Sequence, residues 1–232
     1  MSALPILLLL GTFGLSLWAM WRLKSIYARY SEVGASSGAT GAEVAAAILD
    51  RAGIRDVEIL ELDEMLGDHY DPSRKRLVLS SQNYHGRSLA ALGVAAHECG
   101  HAIQHRNAYA PLQMRMAAVG VTTFANQVIM WLPLLGMFTG LIRGKHFVWI
   151  MALSWGVIML FNLITLPVEF DASDRAKRVL AEMGFIGTGA EMEGVRKTLD
   201  AAAWTYVAAF VTSLGYFLYH LLQLTSGSRS DD

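Results

Sequence analysis

His97-Glu98-Cys99-Gly100-His101 sets two imidazoles four residues apart with a carboxylate beside the first. On a helix, residues at that spacing share a face, about 5–6 Å apart at Cβ, so both rings can reach one Zn2+ at about 2.0–2.1 Å. A catalytic zinc keeps one position open for water, and Glu98 can take that water's proton as it attacks a carbonyl. The pattern has this meaning only on a helix. "SLAALGVAAHECGHAIQH", rich in Ala and Leu, predicts one over about residues 88–107.

His105 extends the stripe to i+8, but at 1.5 Å rise per residue it stands about 12 Å along the axis from His97, too far to share one ion. Proteins that recruit a third histidine from this stretch break the helix at a glycine soon after the second ligand, and this chain has His105 and Arg106 near where that glycine would stand. His105 therefore reads as a surface or supporting residue of the last turn. The third ligand must come from elsewhere, and the best candidate is Glu169 in "LPVEFDASDRAKRVL". Asp171 and Asp174 are the alternatives. In a helix Ser173, at i+4, falls on the face of Glu169, whereas Asp171 is turned about 200° away, so the aspartates read as supporting or surface groups. A carboxylate that only starts an interfacial helix is the competing reading of Glu169.

The elements that must position these groups are mostly apolar. Charged residues are 17% of the 232, against about 25% in ordinary domains, and the mean hydropathy is +0.35, so the deficit is concentrated in segments. A span needs roughly 20 apolar helical residues. Segments 4–21, 117–142, 146–166 and 201–224 meet that length approximately, and the last, which carries Trp204, Thr205, Tyr206 and Thr212, is the most polar. The first has no basic residues before it and no small-residue cleavage site after it, so it reads as a retained anchor. The short link Arg143-Gly144-Lys145 makes the middle two an antiparallel hairpin. Two crossings then return Glu169 to the side of His97 and His101.

Residues 22–116 read as a small polar domain, entered through the linker "GASSGATG". Thr40 with Glu43 is a capping box opening a helix to Gly53; "DVEILEL" reads as a strand, and Asp71-Pro72-Ser73 as a turn into a second, Arg76 to Ser80. Residues 167–200 carry the third-ligand helix, ending near Gly184, and the return to this domain. Ten lysines and arginines near the spans lie on its side, Arg22, Arg115 and Arg175 among them, against Arg143, Lys145 and Arg229 opposite. That bias favours a cytoplasmic domain and a multi-pass protein of the cell (inner or plasma) membrane.

Net charge −1 and the lack of long basic runs give no reason to expect nucleic acid. Cys99 is alone, so no intramolecular disulfide forms. His69, Tyr84 and Tyr206 are weak candidates to stabilise an oxyanion, with turn, core or interfacial packing the competing reading of each.

"HYDP", "LVLSSQNYHGRSLAALGVAAHECGHAIQH", "YAPLQMR", "LPVEFDASDRA" and "LDAAAWTYVAA" together resemble the YugP-type family of bacterial membrane zinc metallopeptidases, from about Tyr30 to Tyr219. The chain is more distantly similar to the HtpX-type and CAAX-prenyl membrane peptidases. The resemblance implies His97, His101 and Glu169 as zinc ligands, Glu98 as base, and a cytoplasmic site. Those relatives place aspartate four residues after the glutamate, where this chain has Ser173 and then Asp174. The partner that orients the ligands is thereby open among Asp171, Ser173 and Asp174.

The resulting expectation is a mostly helical α+β membrane protein, with a zincin-like domain holding a small β-sheet fused to about four transmembrane helices. Its cofactor would be Zn2+, its activity that of a gluzincin-like endopeptidase, and its partners the bilayer and a peptide or protein substrate, a membrane protein included. The alternatives are a structural or regulatory zinc site, which would have no use for Glu98, and a zinc hydrolase of a non-peptide bond.

Overall fold

A computed structural model describes residues 3–63, 67–139 and 144–227. Arg143, Arg229 and Ile142, at the end of the second apolar segment, lie outside them. In chain order the elements are α1 (Leu4–Ser31), α2 (Gly41–Arg51), β1 (Glu58–Leu62), β2 (His69–Asp71), β3 (Arg76–Ser80), α3 (Ser81–Tyr84), α4 (Leu89–Arg106), α5 (Ala110–Thr139), α6 (Lys145–Glu182) and α7 (Ala190–Gly227). The chain is mostly helical with one three-stranded sheet among the described residues, and α1, α5, α6 and α7 are each long and apolar enough to cross a membrane.

These four helices outrun the apolar segments that mark them. α1 continues past Trp21 to Ser31, α5 begins before Ala117, α6 runs through Pro167 to Glu182, and α7 begins before Ala201. An apolar run measures what a bilayer needs, whereas the i→i−4 ladder continues into polar sequence until a stop residue ends it. For α6 that stop is Gly184, in the left-handed region at φ 70°, and not the proline.

The chain divides into two compact units. The first gathers Met1–Trp18, Met114–Leu166 and Tyr206–Asp232. Leu7, Phe13, Phe124, Phe138 and Leu153 point outward there, as side chains facing lipid would. Inside it, Trp155 stacks on Tyr216 at 4.6 Å, and Asn162 donates to the Ser213 hydroxyl at 3.0 Å.

The second unit comprises Ala19–Gln113 and Pro167–Thr205. Its core joins α2, through Val44, Ala45, Ile48 and Leu49, to α4, through Leu92, Ala95, Ala96 and Cys99, with Leu77 and Leu79 of β3 beneath. Thr40 caps α2 as its sequence signals: its hydroxyl accepts from the Glu43 N–H while the Glu43 carboxylate accepts from the Thr40 N–H. A β-carbon on Gly41 would come within 2.2 Å of the Asn83 carbonyl oxygen, so only glycine lets α2 start this close to α3.

The sheet order is β1-β3-β2, with β1 parallel and β2 antiparallel to β3. Asp71 accepts from the Ser73 and Arg74 N–H groups, closing the turn between β2 and β3. The three-residue strand β2 is one more than the sequence pattern supplies, since it is too short to show alternation.

Candidate metal centre

Helix α4 starts at Ser88, whose hydroxyl accepts from the Ala91 N–H at 3.2 Å, and its small side chains let it be covered closely on several sides. One face carries Cys99, fully buried, its thiol directed at the Ala45 carbonyl oxygen of α2. Another meets α6 at Gly100, where a β-carbon would stand 2.7 Å from the Ala172 carbonyl oxygen. Val168, Ala172, Ala176 and Leu180 form the buried stripe of α6, each at 0% exposure. That i, i+4 stripe carries Glu169 inward with it.

Among the described residues, His97, His101 and Glu169 place one ligand atom each within 4.8 Å of one another. Glu169 Oε2 lies 3.3 Å from Nε2 of His97 and 3.6 Å from Nε2 of His101. Ligands at about 2.0–2.2 Å from a tetrahedral zinc stand roughly 3.4 Å apart, so these separations are those of donors that share one ion. Glu169 is 2% exposed, and a carboxylate with two neutral imidazoles is a donor set that zinc accepts in catalytic sites. The residues fit the metal.

The three groups also act on one another electrostatically. Burial pushes the Glu169 carboxyl up, but hydrogen bonds and charge from His101 and His97 outweigh it and hold the group well below the usual carboxylate range. Burial lowers His101, while Glu169, Glu98 and Gln104 act the other way and leave it raised.

The far ring nitrogens are engaged as well. His97 Nδ1 is 3.1 Å from the Ser173 hydroxyl, and His101 Nδ1 is 3.0 Å from Gln104 Oε1. Gln104 Nε2 donates to the Val168 carbonyl and to Asp171 Oδ2, both at 2.8 Å, and Asp171 pairs with Arg175 at 2.6 Å. Of the three residues left open by the sequence, Ser173 touches one imidazole, Asp171 reaches the other through Gln104, and Asp174 pairs with Lys177 at 2.7 Å. Gln104 and Arg175 escaped sequence reasoning. The signal was the Gln104 position itself, three residues after His101 on the same helix.

Glu98 is 8% exposed, beside His97 on α4. His105 meets the Tyr70 hydroxyl at 2.9 Å, tying α4 to β2, and is not in the metal-binding group. Exposed His69 meets the Gly67 carbonyl at 2.7 Å, and half-buried Tyr84 packs on the core and against His85. Tyr206 belongs to the apolar unit. His69 is not in the group formed by His97, His101 and Glu169.

A largely buried His-His-Glu cluster on a helix pair, with four membrane-length helices among the described residues, fits a membrane protein that could hold a metal ion. The family model described as "Putative neutral zinc metallopeptidase" matches residues 5–225, and the chain belongs to that family. It is 43% identical over 222 residues to the "Putative membrane protease YugP" of Bacillus subtilis (strain 168), which covers 96% of this chain and 97% of that protein. No solved structure matches it. The family name and the four apolar helices fit a zinc-binding, multi-pass membrane protein.

Proposed function

We propose that the protein is an integral-membrane zinc endopeptidase whose zincin-like domain holds Zn2+ on His97, His101 and Glu169, with Glu98 as general base. The observation that carries this reading is Glu169 Oε2 at 3.3 and 3.6 Å from the two Nε2 atoms, with Glu98 next to the first histidine. Zinc held by these three residues would supply a Lewis acid that acidifies a water and polarises the substrate carbonyl. Glu98 takes one proton from the attacking water as the new C–O bond forms. It gives that proton to the leaving nitrogen as the C–N bond breaks, and so ends the cycle as the carboxylate it began.

The substrate is a peptide or protein, membrane proteins included, reached from the cytoplasmic side by the lysine and arginine bias of the sequence. An extended peptide adds to a sheet edge by main-chain hydrogen bonds, and β1 and β2 are the edges of this sheet. The Glu98→Gln form, purified in detergent, tests the mechanism. It should keep the wild-type zinc content and lose cleavage of an unfolded protein substrate, whereas cleavage at the wild-type rate would remove Glu98 from the role of base. The same form, expressed in its native membrane, should retain the natural substrate for identification.

A further inference from the structure

We propose that Gln104 is a positioning residue for His101: its amide, fixed by Asp171 and the Val168 carbonyl, holds the imidazole in the orientation and tautomer that leave Nε2 directed at Glu169. This deepens the zinc-site reading and rests on it.

The chemistry of the amide assigns the roles. Gln104 Nε2 lies 2.8 Å from two oxygens, the Val168 carbonyl and Asp171 Oδ2, and both can only accept. The amide nitrogen has two hydrogens and no lone pair to offer, so both are committed and the flip of the side chain is settled. Oε1 therefore faces His101, and an oxygen facing Nδ1 at 3.0 Å requires that Nδ1 donate. A neutral imidazole protonated at Nδ1 has its lone pair at Nε2, the atom 3.6 Å from Glu169.

The lock is rigid because its parts are. Gln104 is fully buried at 0% exposure. Asp171 is held in turn by two contacts from Arg175, at 2.6 and 3.2 Å, and the Arg175 guanidinium lies over the Tyr109 ring at 5.8 Å. Both acceptors of Gln104 belong to α6, the helix that carries Glu169, so the same side chain sets the His101 ring and ties it to the third donor's helix. His97 is held differently, by the single hydroxyl of Ser173. Groups that hold a ligating imidazole through its second nitrogen typically alter metal affinity by about 10–100-fold when removed.

The test is zinc affinity of the full-length protein in detergent, by competition with a chromogenic chelator, together with the visible spectrum of the Co2+-substituted form. Gln104→Leu should bind zinc about 10–100-fold more weakly and shift the cobalt bands. Gln104→Glu should recover most of that affinity, since the carboxyl keeps an acceptor for Nδ1–H and, when protonated, a donor for Asp171. A role confined to holding α4 on α6 gives the opposite order, with the glutamate the worse variant against Asp171 and a carbonyl, and that order would overturn the proposal. So would a folded Gln104→Leu with wild-type zinc affinity and cobalt spectrum. If Gln104→Leu is not recovered folded, Asp171→Ala decides: several-fold weaker zinc supports the lock, and unchanged affinity contradicts it. A wild-type protein that binds no zinc would instead sink the metal-site reading itself.

Discussion

Gly100 and Ala172 meet backbone to backbone, since a β-carbon on Gly100 would stand 2.7 Å from the Ala172 carbonyl oxygen and 3.1 Å from its Cα. The glycine between the two histidines of α4 thus sets how near α6 can come, and with it where Glu169 stands. Gly100→Ala has no flexible side chain to push aside, only backbone. It should cost about 1–3 kcal/mol of stability, as overpacking does, and move Glu169 away from His97 and His101. Thermal unfolding and zinc content check it together, and wild-type values for both would show that the contact does not position the carboxylate.

Ser173 is the group in contact with the second nitrogen of His97, at 3.1 Å, and is 5% exposed. Ser173→Ala removes the hydroxyl at almost constant volume and leaves a partly buried ring nitrogen without that partner. Zinc affinity should fall by roughly tenfold while the far-ultraviolet circular dichroism stays that of the wild type. An unchanged dissociation constant would mean that the hydroxyl does not orient the ring.

Cys99 is the chain's single cysteine, fully buried, and burial pushes its thiol well above the ordinary range, with Glu98 adding to the effect. Since the thiolate is the reactive form, maleimide should label the native protein far more slowly than the denatured protein. Labelling at the rate of an exposed thiol would contradict the packing of α4 on α2.

The proposed orientation places the link before α6 outside the cell. A reporter fused after Lys145 should therefore signal from the non-cytoplasmic side, and a cytoplasmic signal there would invert the topology.

What the sequence made legible was local. Thr40 and Glu43 are three residues apart, and so close on themselves as a capping box; His97 and His101 are four apart, which on any helix means one face. Glu169 took a further step, because only the path of the chain through two apolar segments suggested that it returns. Its meeting with the histidines then depends on how α6 sits on α4, which Gly100 and Ala172 decide by contact and no periodicity encodes. Asp171 was among the candidates, but its link to His101 through Gln104, and its hold by Arg175, depend on the same helix pair and were hidden for the same reason. The third apolar segment ends at residue 166, yet α6 continues through Pro167, since apolar length and helix length are set by different physics.

The central claim is that Glu169 completes the metal site, and zinc stoichiometry of purified variants tests it most directly. The wild type should carry about one zinc per chain, the number one four-coordinate site takes. Glu169→Ala should lose most of it, as should His101→Ala, while Asp174→Ala, which removes only a surface partner of Lys177, should keep it. Full zinc in a folded Glu169→Ala would contradict the account.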